Sequence, residues 1–270
     1  MNKLENISEF FLCPKCKKNA LEFLKNIYKC KNCNKEITIQ KNKVIFSNVF
    51  FKEKSWVEKS KNFNTLNYGK YLIEQINGPK ISELPKIYSP KGININLGSG
   101  NNNFDNYINI DLGNYEDVDI ICDLTEIPLK NESVDLIACN SVFEHLQSPF
   151  KVKDEVTRIL KKGGIFYLCV PFMCIRHHEI DFVRWTSYGL IKFLKDDFEI
   201  IEAGPCRSPA QGLISYFHAF IDLYIKNKIL KKISFFIWKI ISLPLYFIKV
   251  DKSEETLSLS QTIYVLCKKK

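Results

Sequence analysis

Short apolar runs alternate with polar turns through the middle of this 270-residue chain. The runs are ININ, YINIDL, VDIICDL, VDLIACN and GIFYLCV, followed later by FEII and TIYVLC. Their length and bounding turns are typical of buried strands. Because helix-like segments separate several of them, the pattern predicts an α/β fold with a mostly parallel sheet.

A helix with clear ends is predicted between the fourth and fifth of these strands. Ser148 suits the N-cap, Pro149 suits the first helical position, and Gly163–Gly164 predicts the end. Its apolar face carries Val152, Val156, Ile159 and Leu160.

The other connections are less regular. A second helix is predicted after Thr186 to about Lys195, and an amphipathic stretch predicts a helix over 68–76. Only seven residues separate Gly100 from Ile108, too few for an ordinary crossover helix between parallel strands. We expect that helix to be reduced to a turn.

Three segments follow from these patterns. Residues 1–50 form a small N-terminal module, 51–90 a linker with a lead-in helix, and 91–270 the large α/β domain, with an insertion over 205–258.

The N-terminal module contains two Cys-x2-Cys pairs with thirteen residues between them, Cys13, Cys16, Cys30 and Cys33. Four thiolates at this spacing can enclose a tetrahedral Zn²⁺ with no open ligand position, which predicts a structural metal. The alternative is four free thiols in a loop. Residues 10–48 resemble the short zinc ribbon of the activator partner of tRNA methyltransferases. The six other cysteines are scattered through predicted strands, so reduced thiols are expected.

The formal charge of +9 favours an anionic partner, either nucleic acid or anionic lipid. The N-terminal segment MNKLENISEF has no basic region followed by an apolar core, so we expect a cytoplasmic protein. A peripheral position on the inner face of the membrane is compatible with this charge.

A nucleoside site is predicted where the first strands of the large domain end. Gly98-Ser99-Gly100 follows the first strand and allows close approach of a ligand to the backbone. Asp111 ends the second strand, where a carboxylate can accept ribose hydroxyls. Asp123 and the Leu124 amide at the third strand could bind an adenine edge, and Asn140 ends the fourth. The alternative is that both acids only form turns.

These residues lie beside two further motifs, Val142-Phe-Glu144-His145-Leu146 and Leu160-Lys-Lys-Gly163-Gly164. Together with the glycine turn they resemble the S-adenosylmethionine-dependent methyltransferase superfamily over residues 92–203. The resemblance implies a Rossmann-like, doubly wound sheet with an antiparallel last strand. It implies that Gly98, Ser99 and Gly100 face the methionine part of the cofactor, Asp111 the ribose, and Asp123 with Leu124 the adenine.

Two positions depart from the family pattern. Asn96 replaces the usual acid before the glycine turn, and Asn102 replaces a third glycine. Asn96 can still hold an ammonium group by hydrogen bonds. A nicotinamide fold is disfavoured, because Asp111 comes thirteen residues after Gly98 instead of about 20.

Acceptor contacts are predicted just beyond the fifth strand, where Asp181-Phe-Val-Arg184-Trp185-Thr186 resembles the superfamily's Asp-x-x-Arg-aromatic-Thr segment. We expect His177, Arg184 and Trp185 to contact the acceptor, with His178 or Asp181 as the base. The alternative is that Asp181 and Arg184 form a structural ion pair.

Residues 212–250 are rich in aromatic and aliphatic side chains interleaved with lysines. Lys239 and Pro244 interrupt the longest apolar run, which disfavours a membrane span. Two alternatives remain: a helix lying in an anionic membrane surface, or a lid on the catalytic domain.

The expected function is S-adenosylmethionine-dependent methyl transfer to a small-molecule or lipid-linked glycan acceptor at or near the membrane surface. Nucleic acid is a less favoured partner. The alternatives are a methyltransferase acting on tRNA or protein, and a non-catalytic zinc-ribbon module whose cofactor fold is vestigial.

Overall fold

The described part of the protein is built on one mixed sheet. The structure, a computed structural model, describes residues 4, 7–47, 77–176 and 180–270. Eleven strands lie within these ranges in the order β1-β2-β3-β4-β7-β6-β5-β8-β9-β11-β10. They are β1 Leu21–Leu24, β2 Ile27–Cys30, β3 Glu36–Gln40, β4 Lys43–Ile45, β5 Asn94–Leu97, β6 Ile108–Asp111, β7 Ile120–Ile121, β8 Val134–Asn140, β9 Leu160–Pro171, β10 Phe198–Arg207 and β11 Thr262–Lys269.

Six α-helices accompany these strands in the described ranges: α1 Leu84–Tyr88, α2 Pro149–Ile159, α3 Ser187–Leu194, α4 Pro209–Tyr224, α5 Lys228–Ser242 and α6 Glu254–Leu259. None of the helices described is long and apolar enough to cross a membrane. The helix predicted over 68–76 lies outside the described residues.

Parallel pairing joins the strands at the centre of the sheet. β7, β6, β5, β8 and β9 are parallel neighbours, whereas β11 is antiparallel to both β9 and β10. The predicted Rossmann-like α/β sheet with an antiparallel last strand is therefore confirmed. A turn, not a helix, joins β5 to β6, as the short spacing predicts.

Alternate side chains of β8 enter the core on opposite faces of the sheet. Ile137 and Cys139 belong to the larger cluster, which also contains the buried face of α2. Leu136 and Ala138 belong to a second cluster with Leu84, at the start of α1. Because successive strand side chains point to opposite faces, the sheet is covered on both sides. Its strand ends are left free to form a site.

The N-terminal strands extend this sheet instead of forming a separate one. β4 pairs in parallel with β7, and the backbone N–H groups of Val44 and Phe46 donate to the carbonyls of Asp119 and Ile121 at 3.0 and 2.9 Å. Phe11 packs edge-on against Phe46 in the same core. The cysteine module is thereby joined to β7, the strand that leads to Asp123.

Two predicted element ends, those of helix α2 and of strand β10, were wrong. Helix α2 begins at Pro149 after Ser148 as expected, but it ends at Ile159 and not at Gly163, because Leu160 is already extended and pairs with Val134 on β8. Strand β10 continues through Arg207, so the helices of the predicted insertion begin after residue 205. Tertiary pairing extends these strands beyond what their local sequence indicates.

Candidate active site and metal site

The glycine turn that follows β5 has left-handed backbone at both glycines. Gly98 has φ +65° and Gly100 has φ +55°, a region that favours residues without a Cβ. A Cβ on Gly98 would lie 2.3 Å from Cγ2 of Val142, whereas a Cβ on Gly100 would meet no atom of the described residues within 4 Å. The turn is therefore closed on the Val142 side and open at Gly100.

Asp111 ends β6 beside this opening. Its carboxylate accepts hydrogen bonds from the backbone N–H of Gly100 at 2.9 Å and of Gly113 at 2.7 Å. Burial raises the pKa of the Asp111 carboxyl, and these backbone donors act in the opposite direction. The carboxylate is thus held rigidly at the tip of β6, with lone pairs remaining for a further donor.

Two observations fit a nucleoside-containing cofactor at this place. The space at Gly100 is open, and the hydroxyl of Ser99 is buried with no hydrogen-bond partner among the described residues. A buried polar group without a partner is costly unless a ligand or water satisfies it. The cofactor-binding prediction for Gly98, Ser99, Gly100 and Asp111 thus has a physical basis in this geometry.

The remaining predicted cofactor residues occupy different environments. Asp123 follows β7 and accepts from the backbone N–H and the hydroxyl of Thr125, so it caps the short turn that contains buried Leu124. This is the turn-forming role that the alternative predicts, and it also places Leu124 at the same edge. Asn140 is exposed at the end of β8. Asn96 is buried in β5 and donates to Asn109 on β6 at 3.1 Å, so its amide lies between the strands and its ammonium-binding role stays a prediction.

Asp181 and Arg184 form a bidentate ion pair in the loop after β9. The Asp181 side chain is 2% exposed, and the guanidinium donates to both of its carboxylate oxygens. This is the geometry of the structural alternative, although the pair lies where an acceptor contact was predicted. Trp185 packs on Phe193 with ring centroids 4.7 Å apart. His177 and His178 lie outside the described residues.

Glu144 and His145 hold this loop against β8. The Glu144 carbonyl accepts from the N–H of Phe182 at 2.7 Å, and the His145 ring is hydrogen-bonded to the carbonyl of Ile180. Burial, together with a smaller contribution from nearby Asp181, raises the pKa of the Glu144 carboxyl to about 7. Sequence reasoning did not assign Glu144 to the site, although the Val-x-Glu-His-Leu motif was the signal that could have identified it.

The four predicted metal ligands converge. Their sulfur atoms all lie within 4.8 Å of one another, with Cys13–Cys33 at 3.5 Å and Cys16–Cys30 at 3.6 Å. A tetrahedron with Zn–S bonds of about 2.3 Å has sulfur–sulfur edges of about 3.8 Å. The backbone N–H of Lys18 lowers the pKa of Cys16 to about 6, which favours a thiolate there. The cluster fits the predicted zinc ribbon.

Comparison with known proteins agrees with this topology. A family described as a methyltransferase domain matches residues 100–168. Residues 100–168 of this chain are therefore similar to a methyltransferase domain. The prediction of an S-adenosylmethionine-dependent methyltransferase is thereby confirmed at the level of the domain.

The methyltransferase domain also has relatives along shorter or weaker alignments. The uncharacterized protein MJ1123 of Methanocaldococcus jannaschii is 31% identical over 98 residues, which are 30% of this chain and 46% of that protein. The chain thus spans about half the length of this curated relative. Among solved structures, a complex between the Haloferax volcanii Trm112 methyltransferase activator and a protein assigned as a methyltransferase aligns with TM-score 0.41 and 16% identity, covering 66% of this chain and 82% of that one. The Streptomyces coelicolor geranyl diphosphate C-methyltransferase aligns with TM-score 0.44 and 11% identity, covering 70% and 78%.

The matched segment locates the methyltransferase domain within the fold. It begins at Gly100, runs through β6, β7, β8 and α2, and ends in β9 at Leu168. Asp111, Asp123 and Glu144 lie inside it. The cysteine module and helices α4 and α5 lie outside it, so the family match does not describe them.

Proposed function

We propose that this protein transfers a methyl group from S-adenosylmethionine to a small-molecule or lipid-linked glycan acceptor at a membrane surface. The observation that carries the proposal is the Asp111 carboxylate, fixed by two backbone donors beside an open glycine turn. This is a ready-made acceptor site for ribose hydroxyls at the carboxyl ends of parallel strands.

The bound cofactor would supply an electrophilic methyl group on a sulfonium. Asp111 holds the ribose, and the turn Gly98–Gly100 lies against the methionine part. Leu124 and Asp123 bind the adenine edge. The residues of this chain contribute mainly by alignment, since transfer in line with the departing sulfur needs orientation above all.

A base is required only if the acceptor atom carries a proton that must leave. His178 and Asp181 are the two predicted candidates. Both oxygens of Asp181 are engaged by Arg184, which favours a positioning role for Asp181 and leaves His178 as the preferred base. In this proposal Arg184 and Trp185 form part of the wall that the acceptor meets, and His177 stays a predicted acceptor contact.

The membrane part of the proposal rests on helix α5. Its exposed apolar side chains repeat at helical spacing and form one stripe, composed of Ile229, Leu230, Ile233, Phe236, Ile237, Ile240 and Ile241. On the opposite face Trp238 stacks on Phe217 of α4 at 4.1 Å between ring centroids. Since the stripe points away from α4, it favours insertion into lipid over packing as a lid.

The charge of this region supports an anionic surface as its partner. Between residues 209 and 250 the only acid is Asp222, which pairs with Lys231 at 2.9 Å. The lysines of this segment are Lys226, Lys228, Lys231, Lys232, Lys239 and Lys249. A segment that is both cationic and apolar attracts anionic lipid by both forces.

We also infer that the four-cysteine cluster binds one structural Zn²⁺.

Two alternative functions remain, and each predicts a different set of structural features. A tRNA or protein methyltransferase has no need of the exposed stripe on α5, and a non-catalytic ribbon module has no need of the cradle at Asp111. Strong salt-dependent RNA binding would favour either of them over a lipid-linked acceptor.

The first test is S-adenosylmethionine binding by calorimetry to the zinc-loaded chain, comparing wild type with Asp111→Ala. We expect binding in the wild type and at least about a tenfold loss in the variant, because a charge-assisted hydrogen bond is removed. Glu116→Ala changes an exposed acid in the next loop and is the matched control. Absence of binding to folded wild-type protein would contradict methyl transfer.

The membrane proposal is tested by flotation with vesicles of phosphatidylglycerol and phosphatidylcholine. We expect the wild type to float and the double variant Ile237→Glu/Ile241→Glu to remain at the bottom. Ile87→Glu alters an equally exposed isoleucine on α1 and serves as the control. If the wild-type protein does not float with anionic vesicles, the membrane part of the proposal is contradicted and the methyl-transfer part is not.

A further inference from the structure

An apolar cavity of about 440 Å³ lies next to Met173, just beyond the carboxyl end of β9. Its walls come from the first half of α4, from residues 245–250 and from α6, and Met173 closes it on the side of the sheet. The lining residues that carry the argument are Met173, Ala210, Leu213, Leu245, Ile248 and Lys249. This space lies outside the matched methyltransferase segment.

The cavity is anchored at the same edge of the sheet as the cofactor cradle. Helix α4 begins with a capping box in which Ser208 and Gln211, both buried, exchange hydrogen bonds. One turn later the Ser215 hydroxyl accepts from Gln261 at 3.1 Å, just before β11. Met173 follows β9 and donates its N–H to the Ser260 carbonyl at 3.1 Å. The position of the cavity is therefore tied to β9, β10 and β11.

These hydrogen bonds fix how far the cavity lies from the glycine turn after β5. β5 and β9 are separated only by β8, so their carboxyl ends lie roughly 10 Å apart at the usual strand spacing. The loop with Asp181 and Arg184 begins where β9 ends. Arg184 is close enough to influence Tyr216, another lining residue, electrostatically. A molecule in the cavity could therefore extend into the acceptor region.

The lining favours a hydrocarbon chain over a polar ligand. The described lining residues are almost all aliphatic or aromatic, include no acid, and contain one cation, Lys249. Leu213 and Ile248 line the cavity and are also 53% and 56% exposed, so its wall continues onto the outer apolar surface. A chain could enter from that surface without crossing a polar barrier.

We propose that this cavity binds the hydrocarbon chain of a lipid phosphate, with Lys249 as the ionic partner of the phosphate. The inference rests on the proposed lipid-linked acceptor and names where that acceptor is held. The apolar wall excludes water from the chain, and the ammonium of Lys249 selects an anionic head group.

The test is calorimetric titration of the zinc-loaded full chain with farnesyl phosphate and with dodecyl phosphate, both below their micelle concentrations. Inorganic phosphate is the head-group probe. We expect at least one of the two lipid phosphates to bind, and Leu213→Asp to weaken that binding about tenfold or more because a charge enters the apolar wall. Ala210→Trp fills the cavity with a large side chain and should also weaken lipid phosphate binding.

Leu223→Asp is the matched control, since Leu223 lies on the same helix with similar exposure, 50%, and does not line the cavity. Lys249→Gln should weaken the binding of farnesyl phosphate a few-fold and leave the binding of farnesol, which has no phosphate, unchanged. Thermal unfolding midpoints of all variants establish that they are folded. Which of the two phosphates binds more tightly identifies an isoprenoid carrier or an acyl lipid as the source.

Binding that survives both Leu213→Asp and Ala210→Trp overturns the proposal. An equal loss of lipid phosphate binding in Leu223→Asp also overturns it, because the hydrocarbon chain would then lie on the outer surface of the helix. Tight binding of inorganic phosphate alone also overturns it. S-adenosylmethionine titration of the same samples separates the two proposals: cofactor binding without lipid binding contradicts only the cavity, and the reverse result contradicts only methyl transfer.

Discussion

Gly98 and Val142 are in direct contact where two separate motifs meet. A Cβ on Gly98 would lie 2.3 Å from Cγ2 of Val142, so the glycine turn after β5 is packed against the first residue of the Val-x-Glu-His-Leu segment after β8. The turn therefore depends on a neighbour that is 44 residues away in sequence. This contact explains why the position needs glycine for space as well as for its positive φ.

Gly98→Ala is expected to destabilise the protein by about 2–4 kcal/mol, since it adds left-handed backbone strain to overpacking. Gly100→Ala carries only the backbone strain, because no atom in the part of the chain that the structure describes lies within 4 Å of its Cβ, and should cost about 1 kcal/mol. Urea unfolding measures both values. Val142→Ala should recover part of the loss in the Gly98→Ala background, and equal losses at the two glycines would contradict the contact.

The Asp181–Arg184 ion pair is expected to stabilise the folded protein. Arg184→Met leaves the almost fully buried Asp181 carboxylate without its bidentate partner, and we expect a loss of about 3 kcal/mol. The double variant Asp181→Asn/Arg184→Met removes both charges and should lose less than the single variant. Chemical denaturation of the four proteins in the cycle gives the coupling. Additive losses would mean that the pair does not stabilise the loop.

Glu144 should make stability depend on pH. Its folded pKa, about 7, lies above the ordinary value of 4.5, so the folded chain binds this proton more tightly. The resulting stability is present below pH 4.5 and is lost as pH rises to about 7, a change of about 3 kcal/mol. Glu144→Gln should abolish that part of the pH profile and exceed the wild type in stability at pH 8. The exposed control Glu116→Gln should keep the wild-type profile between pH 5 and 8.

Metal analysis should find one Zn²⁺ per chain in the wild type and none in Cys16→Ser or Cys30→Ser. Because β4 pairs with β7, metal loss should also speed hydrogen exchange at the amides of Val44 and Phe46. Cys174→Ser is the control, since Cys174 lies outside the cluster. Zinc retained after loss of one ligand from each pair would contradict a four-thiolate site.

The placement of the candidate cofactor residues could be predicted from sequence, and that of the candidate acceptor residues only in part. Gly98, Gly100 and Asp111 each follow a recognisable strand, and parallel strands bring their carboxyl ends to one edge. Asp181 and Arg184 were located correctly after β9, but their mutual ion pair makes the Asp181 base role less direct. The part played by Glu144 depends on its complete burial, which no local pattern reports.

The sequence by itself determined the α/β class, the turn in place of the first crossover helix, the four cysteines that cluster and the residues at the strand ends. These follow from short-range rules: strand periodicity, turn length and ligand spacing. Only the tertiary structure decided that the cysteine module extends the main sheet, that α2 gives way to β9 at Leu160, and that α4, α6 and Met173 enclose a cavity. Each of these depends on which distant backbone groups or side chains meet, and pairing and packing between distant segments are not encoded in any local window.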